Sequence, residues 1–355
     1  MAVLEEVRYT ALGVMSGSSL DGLDLALCTF TLRSGRWSFR IVEARTVPYG
    51  KAFQQRLLAT MEGNALDLAR MDRDLGDLIG RAAVEFLAGR AVDVIASHGH
   101  TIFHKPDEGL TVQIGQGARI SAIAGLPTVT DFRTLDVALG GQGAPLVPLG
   151  EQLLFPEYRA FLNIGGICNI ALHAGERVLG YDACIGNQAL NLLASEAGLP
   201  FDAEGALARS GSVNEALLQR LNDLPFHHMA PPRSLGREWF DAEVRPLISD
   251  PSVKLNDRLR TVVEHIALII TGALRGGAHA VLATGGGAHN TYLIERIHAL
   301  SARDIVVPQH SIVDFKEALI FAFLGVRRLR GESTALATVT GARRDSSGGS
   351  LVNAN

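Results

Sequence analysis

The sequence is short of cysteine and of positive charge, and each shortage excludes a class of protein. Three cysteines among 355 residues are too few for a disulfide framework. Cys28, Cys168 and Cys184 all lie in apolar stretches, so we expect reduced thiols in a cytoplasmic protein. The 33 basic and 37 acidic residues give a formal net charge of -4. Because nucleic acids attract basic surfaces, nucleic acid is not an expected partner.

Long hydrophobic runs are also missing. The most apolar helix candidate, Thr261 to Leu274, is interrupted by Glu264 and His265, whereas a membrane span needs about 20 apolar residues in succession. The first ten residues, MAVLEEVRYT, lack the basic start and apolar centre of a signal peptide. We therefore expect neither secretion nor membrane insertion.

Two common nucleotide-binding motifs do not occur either. The sequence contains no GxxxxGK[ST] loop and no GxGxxG motif that follows a strand. The first would indicate a P-loop enzyme and the second a dinucleotide-binding domain. Any nucleotide must therefore bind through a different arrangement.

The length indicates two domains, because 355 residues exceed the usual size of one hydrophobic core. A hydrophobic content of 47% with 20% charged residues is typical of a globular protein. Serine, glycine and asparagine accumulate only near the C-terminus. This composition predicts a flexible tail over residues 342–355.

Two segments share one design, in which a buried strand is followed by a turn of small residues and a returning strand. In the first, strands at 9–15 and 23–30 flank Ser16-Gly17-Ser18-Ser19. In the second, strands at 160–164 and 167–173 flank Gly165-Gly166, and a third strand follows at 177–182.

Between and after these segments, strands alternate with helices. The spacing of apolar residues predicts helices at 53–61, 75–87, 188–197, 213–221 and 261–275, and strands at 92–97, 128–130 and 280–283. The last strand leads into Gly285-Gly286-Gly287. Two similar α/β halves follow from this pattern.

Turns tipped with glycine have a possible use in phosphate binding, since backbone N–H groups without bulky neighbours approach phosphate oxygens closely. Gly17 and Gly166 are the tips here, and the triple glycine is a third such place. The alternative is structural, because any tight turn favours glycine and a closely packed helix also requires it. One isolated tip would favour that alternative.

Eight blocks along the chain resemble, in the same order, those of the anhydro-N-acetylmuramic acid kinase family. The blocks are GVMSGSSLDGLD (13–24), SHGHT (97–101), QIG (113–115), DFR (131–133), GGQGAP (140–145), LNIGGI (162–167), PRSLGRE (232–238) and GGGAHN (285–290). The resemblance as a whole covers the chain from about Gly13 to Gly341. Such an ordered set is far more specific than a single glycine motif.

The resemblance implies a kinase of the actin/hexokinase-like superfamily, with an α/β fold of two RNase H-like lobes and an active-site cleft between them. Residues 1–140 would form the N-terminal lobe, joined by a helical segment at about 311–341, and residues 141–310 the nucleotide-binding lobe. The implied reaction uses ATP and Mg²⁺ to phosphorylate 1,6-anhydro-N-acetylmuramic acid, a small amino sugar, while water opens the anhydro ring. Relatives are often dimers, so a homodimer is expected on the same ground.

The resemblance also assigns the site. Asp182 matches the catalytic aspartate, which activates a water; a lone aspartate between a strand and a helix would more often be an N-cap. Asp21 is assigned to the metal, through water. The nucleotide is assigned Gly13, Ser16, Gly17, Ser18, Ser19, Asp21, Asn163, Gly165, Gly166, Gly285, Gly286, Gly287 and Asn290. The sugar is assigned His98, Arg133, Asn187 and Glu317.

Each sugar-binding residue has a plainer alternative. Arg133 would otherwise be a surface ion-pair partner, and Glu317 a residue that favours the first turn of a helix. His98 lies close to two further histidines, but their spacing fits no zinc motif.

One block departs from the family pattern. The family's Asp-Thr-Gly-Pro-Gly-Asn reads Asp182-Ala-Cys-Ile-Gly-Asn187 in this chain. The lost hydroxyl and the bulkier loop leave open a related kinase or ATPase that acts on another sugar. Cys184 has no basic neighbour in sequence and is expected to be an inert thiol. A sugar-sensing protein without activity is the third possibility, but no output module such as a helix-turn-helix is present.

Overall fold

The computed structural model describes residues 6–17, 20–175, 177–231, 233–275 and 279–353. The chain divides into two compact units: unit 1 contains residues 1–156 and 315–355, and unit 2 contains residues 157–314. Ser18 and Ser19 of the predicted phosphate loop lie outside the described residues.

The predicted boundary after residue 140 is too early, because the helix at 147–154 belongs to unit 1. Gly150 in that helix packs so closely on Ile320 that a Cβ at position 150 would lie 2.7 Å from the Ile320 side chain. Phe155 stacks edge-on against Phe39 at 5.1 Å. The return to unit 1 comes after residue 314 rather than near 311, since Asp314 contacts His289 of unit 2.

Over its described residues, the first passage through unit 1 contains seven strands and five α-helices. They are β1 (Glu6–Met15), β2 (Gly22–Arg33), β3 (Arg36–Pro48), α1 (Lys51–Ala59), α2 (Ala65–Leu87), β4 (Val94–Ser97), β5 (His100–Lys105), β6 (Leu110–Ile114), α3 (Gly117–Ala124), β7 (Thr128–Thr130), α4 (Thr134–Ala138) and α5 (Val147–Leu154).

Unit 2 follows with β8 (Ala160–Ile164), β9 (Ile167–Ala174), β10 (Arg177–Ile185), α6 (Asn187–Glu196), α7 (Ala206–Ser210), α8 (Glu215–Asn222), α9 (Arg237–Trp239), α10 (Arg245–Ile248), α11 (Leu255–Ala273), β11 (Ala280–Thr284), α12 (Thr291–Ser301) and β12 (Asp304–Val306). The chain then passes through α13 (His310–Leu329), which has a non-helical residue at Phe315, and ends in unit 1 with α14 (Ala337–Thr340) and β13 (Ser350–Val352).

The two units repeat one sheet topology, which confirms the predicted α/β class and its two similar halves. In unit 1 the strand order is β13-β7-β4-β1-β2-β3, and in unit 2 it is β10-β9-β8-β11-β12. In each unit the first three strands form an antiparallel meander, and the fourth pairs in parallel with the first. The same order in both sheets is the structural counterpart of the repeated segment in the sequence.

Strand β1 shows how the sheet of unit 1 is buried on both faces. Leu12 and Val14 belong to the cluster that includes the α2 residues Leu75 and Ile79. Gly13 lies on the opposite face, directly under α13. Alternate residues of one strand therefore serve two different layers, which requires an apolar residue or glycine at each position.

Strand β3 is missing from the sequence-based prediction. Its residues alternate between exposed and half-buried, and its exposed positions include Arg36, Arg40 and Glu43. Charged residues protect the free edge of a sheet from pairing with other chains. Because of these charges, the strand is not one of the mainly apolar runs from which buried strands are predicted.

The predicted flexible tail is wrong for residues 342–353. Strand β13 pairs antiparallel with β7, from Ser350 opposite Thr130 to Val352 opposite Thr128. Arg328 of α13 also donates to the carbonyl of Gly349 at 2.7 Å. The backbone hydrogen bonds of this polar segment order it although few of its side chains are apolar.

Over the ranges that the structure describes, no helix combines the length and the apolar character needed to cross a bilayer.

Candidate functional site

Asp182 lies in a row of polar side chains that crosses three strands of unit 2. Asn163 of β8 pairs with Asn169 of β9, which in turn pairs with Asp182 of β10. The Asn163 amide donates to Asn169 Oδ1 at 3.2 Å, and the Asn169 amide donates to Asp182 Oδ1. The other carboxylate oxygen, Oδ2, accepts from the Leu235 backbone N–H at 2.7 Å. Both oxygens of Asp182 are therefore oriented by hydrogen bonds.

The position of Asp182 differs from the predicted junction of a strand and a helix. Strand β10 continues to Ile185, and a bulge lies between Asp182 and Cys184. Gly186, not Asp182, is the N-cap residue of α6, and the carbonyl groups of Gly165 and Gly166 accept from the first N–H groups there. The N-cap alternative for Asp182 is therefore wrong.

The half-buried carboxyl of Asp182 has an environment suited to a base. Burial raises its pKa above the ordinary value, while the hydrogen bonds from Leu235 N–H and Asn169 act in the opposite direction. A base binds a proton from water more readily when its pKa lies nearer the working pH. Bulges are common next to active sites because they redirect a side chain.

The residues that replace the family's Thr-Gly-Pro point into the core of unit 2. Ala183 and Cys184 are completely buried and Ile185 is 3% exposed, and all three belong to the main hydrophobic cluster of the unit. A hydrogen bond with Cys168 and burial raise the pKa of the Cys184 thiol well above its usual value. The altered side chains thus pack inside the protein, and Cys184 is placed as an unreactive thiol.

We therefore expect Cys184→Gly, which restores the family residue, to change stability and not turnover. Removal of the buried side chain and the extra backbone freedom of glycine should cost about 1–3 kcal/mol. Urea unfolding and steady-state kinetics of the same preparation measure both effects. A changed sugar preference at unchanged stability would show that this loop faces the substrate.

The glycines at the β8–β9 turn are not explained by backbone conformation and only in part by packing. Gly165 and Gly166 both lie outside the positive-φ region, and a Cβ on either would come within 3.3 Å of Ile167 or Gln188, a tight contact that a small shift relieves. The need for a positive φ is therefore absent at both positions, and the packing reason is weak. Close approach of a ligand to the backbone is a third reason.

The triple glycine has structural reasons at two of its three positions. Gly285 has a φ of +83°, and a Cβ on Gly287 would lie 2.2 Å from the Ile164 side chain. Gly286 has neither constraint; the nearest atom to its added Cβ is Asn187 Nδ2 at 3.7 Å. A turn conformation therefore explains the glycine at 285, and close packing explains the glycine at 287. Neither reason applies to Gly286.

The segment Gly286–His289 forms a short 3₁₀ helix, and α12 begins at Thr291. The Asn290 side chain accepts from Leu293 N–H at 3.0 Å and caps α12. Asn187, assigned to the sugar, belongs to unit 2 and lies beside Gly286 and Gly287.

Unit 1 contains a pocket of about 310 Å³ near His98, close to the lower size limit of small-molecule sites. Its wall includes Asp72, Gln113, Gly115 and Asp131. Gln113 Oε1 is buried and, within the described ranges, accepts no hydrogen bond. An acceptor of this kind suits a donor from a bound ligand, because an unpaired buried polar atom is costly.

His98, which lines this pocket, is hydrogen-bonded to Arg133. Arg133 Nε and Nη2 approach His98 Nε2 at 3.0 and 2.9 Å, and Arg133 Nη1 donates to the Gly143 carbonyl at 2.7 Å. Burial and the charge of Arg133 lower the pKa of His98 to about 3. His98 is therefore neutral, with its proton on Nδ1, which donates to the Gly99 carbonyl at 2.9 Å.

Arg133 is not a surface ion-pair residue, since burial lowers its pKa to about 10 while the charge of Glu317 acts to raise it. Burial raises the pKa of Glu317, and the charges of Lys316 and Arg133 oppose that change. Lys316 pairs with Glu151 at 2.8 Å, and both side chains are at most 5% exposed. The sequence-based grouping of His98, Arg133 and Glu317 in one region is consistent with these interactions.

The loop after β1 is fixed by contacts of Ser16 with two side chains, those of Tyr49 and His100. Ser16 Oγ lies 2.7 Å from Tyr49 OH and 3.0 Å from His100 Nδ1. Gly17 accepts from Leu20 N–H at 3.3 Å, and Asp21 is exposed just beyond. The Ser16 hydroxyl is therefore engaged within the protein, whereas Asp21 is accessible from solvent.

A family model described as anhydro-N-acetylmuramic acid kinase matches residues 9–354. The chain belongs to the anhydro-N-acetylmuramic acid kinase family. It is 35% identical over 373 residues to the anhydro-N-acetylmuramic acid kinase of Vibrio parahaemolyticus, covering 97% of this chain and 98% of the relative. It is 36% identical over 363 residues to that of Vibrio vulnificus, covering 96% and 97%.

The similarity of this family member to solved structures is lower than its similarity to these relatives. The activator of the 2-hydroxyisocaproyl-CoA dehydratase from Clostridium difficile, with bound ADPNP, has a TM-score of 0.47 at 15% identity and covers 90% of this chain and 96% of its own.

The sequence of this family member did not indicate two contacts that Asp182 makes. Leu235 donates to its carboxylate, and the Arg233 carbonyl accepts from its backbone N–H at 3.0 Å. Both residues lie in the block 232–238, which matched the family without a role. Gln113 likewise lies in a matched block. The only indication of a role in the sequence was that these residues lie in blocks that match the family. Residues more than 50 positions apart form no short motif, so their contact with Asp182 cannot be predicted from spacing.

Proposed function

We propose that this chain is an ATP-dependent kinase that converts 1,6-anhydro-N-acetylmuramic acid to N-acetylmuramic acid 6-phosphate in the recycling of cell-wall murein. Membership of the anhydro-N-acetylmuramic acid kinase family over residues 9–354 carries the proposal. The relatives named for this activity cover almost the whole chain. The reaction belongs in the cytoplasm, where ATP is available.

Asp182 is the base in this proposal. The water oxygen forms a bond to C1 of the sugar while the C1–O6 bond breaks. O6 forms a bond to the terminal phosphorus of ATP, whose bond to the bridging oxygen breaks, and ADP leaves. The proton lost by the water goes to the Asp182 carboxylate. The raised pKa of Asp182 and its two fixed hydrogen bonds support this role.

The amino sugar is assigned to the pocket of unit 1. Gln113, whose oxygen is unpaired, and Asp131 line this pocket and supply polar groups for a ligand, while Arg133 holds His98 of the same wall. Sugars are rich in hydroxyl groups, which need both donors and acceptors as partners. The glycines at 165, 166 and 286 are assigned to the nucleotide, since neither a positive φ nor a severe clash requires glycine there.

Asp21 fits a magnesium ion that is held mainly through the nucleotide. It is a single exposed carboxylate beside the loop after β1. Mg²⁺ keeps several of its waters and needs only one or two carboxylates in addition to phosphate oxygens. When bound, the ion neutralises the charge that develops on the transferred phosphoryl group.

The altered loop after Asp182 does not support a different acceptor, because its side chains face the core. A homodimer, implied by the relatives, stays a prediction.

Release of ADP with purified protein, Mg-ATP and the anhydro sugar tests the proposal. We expect turnover that depends on the sugar, and a product with the mass of the sugar plus one phosphoryl group and one water. The same assay without sugar measures plain ATP hydrolysis, and N-acetylglucosamine and glucose serve as controls. Turnover with a control sugar but not with the anhydro sugar would refute the proposal.

A further inference from the structure

Strand β10 is an edge strand of the sheet in unit 2, and the segment 233–235 covers its free side next to Asp182. Asp182 N–H donates to the Arg233 carbonyl at 3.0 Å, and Leu235 N–H donates to Asp182 Oδ2 at 2.7 Å. The bulge between Asp182 and Cys184 lies in this stretch. Because a bulge disrupts regular pairing, the backbone groups there need other partners.

The Arg233 guanidinium supplies hydrogen-bond donors to backbone carbonyl groups of β10. Nε donates to the Asp182 carbonyl at 3.2 Å, and Nη2 is 3.5 Å from the Ala183 carbonyl. These are the two carbonyl groups at the start of the bulge. An arginine side chain has five N–H donors in a rigid fork, which suits several acceptors at once.

The same guanidinium binds a second segment of the chain. Nη1 lies 3.0 Å from the carbonyl groups of Phe226 and His227 and 2.7 Å from that of Met229. The guanidinium carbon also lies 4.8 Å from the centre of the Phe226 ring and 5.5 Å from that of Tyr181. Arg233 thus joins the strand of the proposed base to the 226–229 turn.

We propose that Arg233 is a positioning residue for Asp182: by holding residues 226–229 and 233–235 against the bulge of β10, it sets the direction in which the Leu235 N–H meets the carboxylate. This inference rests on the proposed function only in taking Asp182 as the base. Arg233 itself touches no carboxylate oxygen of Asp182; its contacts are with backbone carbonyl groups and rings.

Arg233 carries a permanent charge in this part of unit 2. Burial, aided by the charge of Arg233, lowers the pKa of His227 to about 4, so that this ring is neutral near pH 7. Burial raises the pKa of Tyr181, and the Cys184 thiol is likewise neutral. Because loss of Arg233 also removes a charge that lowers the pKa of His227, the titration of Asp182 has to be measured at the carboxyl itself.

Loss of the Arg233 contacts should loosen the Leu235 hydrogen bond while Asp182 stays half-buried. That hydrogen bond lowers the pKa of Asp182, and burial raises it. The carboxyl should therefore titrate at higher pH, and the acid limb of the kcat profile should move in the same direction. Because a misplaced base is a poorer catalyst, kcat should fall by about tenfold with little change in either KM.

Three variants separate positioning from plain stability. Arg233→Met keeps an apolar stem beside the rings but removes every donor, and Arg233→Lys keeps part of the donor set. Arg258→Met is the matched control, since Arg258 also binds backbone carbonyl groups in unit 2, those of Ile248 and Val253, in addition to Glu196. Each protein is assayed for kcat and both KM values across pH, and for its melting temperature.

Carbon NMR of isotope-labelled aspartate then follows the Asp182 carboxyl without any substrate, with its signal assigned by its absence in Asp182→Asn. We expect a titration at higher pH in Arg233→Met, an intermediate one in Arg233→Lys, and the wild-type one in Arg258→Met despite a lower melting temperature. An equal titration in wild type and both Arg233 variants would overturn the inference. Since this measurement needs no turnover, it decides the role of Arg233 even if the sugar assay fails.

Discussion

Asp182→Asn should lower kcat by about 10²- to 10⁴-fold while both substrates still bind. Asparagine has nearly the same shape, and its side-chain oxygen can still accept the hydrogen bond from Leu235 N–H. It cannot take a proton from water, because an amide is not a base at neutral pH. The loss should therefore appear in kcat and not in the affinity for ATP or sugar.

Steady-state ADP release measures kcat, and thermal shift with Mg-ATP and with sugar measures binding. The wild-type enzyme should lose kcat as the pH falls through the raised pKa of Asp182, and the residual activity of Asp182→Asn should lack this limb. Asn169→Ala is the matched comparison, since it removes one hydrogen bond to the carboxylate but keeps the base. If Asp182→Asn kept the kcat of the wild-type enzyme, the base would have to be another residue.

Gly13→Ala should destabilise unit 1 by about 3 kcal/mol or more, which is about 6 °C or more in its melting temperature. A Cβ at position 13 would lie 1.8 Å from the carbonyl oxygen of Ala318 and 2.9 Å from the backbone nitrogen of Ala322. Both are backbone atoms of α13 and cannot rotate away. The helix would have to move off strand β1, with loss of the contacts beneath it.

Gly50→Ala is the control for this substitution. Gly50 also lies in unit 1, has an ordinary φ of -67°, and has no heavy atom within 4 Å of an added Cβ. Its replacement should leave the melting temperature unchanged or raise it slightly. Should Gly13→Ala melt like Gly50→Ala, the close approach of α13 to β1 would be disproved.

Gly13 was assigned to the nucleotide by resemblance, and the structure adds a packing reason that the sequence did not reveal. Gly325 of the same helix has a similar constraint, since its added Cβ would lie 2.5 Å from the Cβ of Ala96 on strand β4. Small residues at these places let the helix lie close to the sheet. A glycine in a family motif can thus serve the fold, and its role with the nucleotide stays a prediction.

Much of the fold was accessible from the sequence, because buried strands carry a strong apolar signal. The predicted strands at 160–164 and 128–130 coincide with β8 and β7, and the repeated hairpin reflects the repeated sheet order. The exposed strand β3 and the short strand β13 were missed. Both are held by backbone hydrogen bonds to a neighbouring strand, which leave little trace in side-chain composition.

The candidate site was predicted less completely than the fold. The resemblance assigned Asp182, His98, Arg133 and Glu317, but it indicated neither the neutral state of His98 nor the direction of the bonds to Asp182. The partners Arg233 and Leu235 follow Asp182 by more than 50 residues in the chain. Only the folded backbone brings them to the free side of β10.

The amino-acid sequence by itself determined the α/β class, the repeated design and the family, since these depend on local apolar patterns and on ordered motifs that can be read along the chain. Tertiary structure alone decided which glycines are needed for packing, which way the altered loop faces, and what holds Asp182. Those properties depend on distances between residues far apart in sequence, and such distances exist only once the sheets and helices have packed.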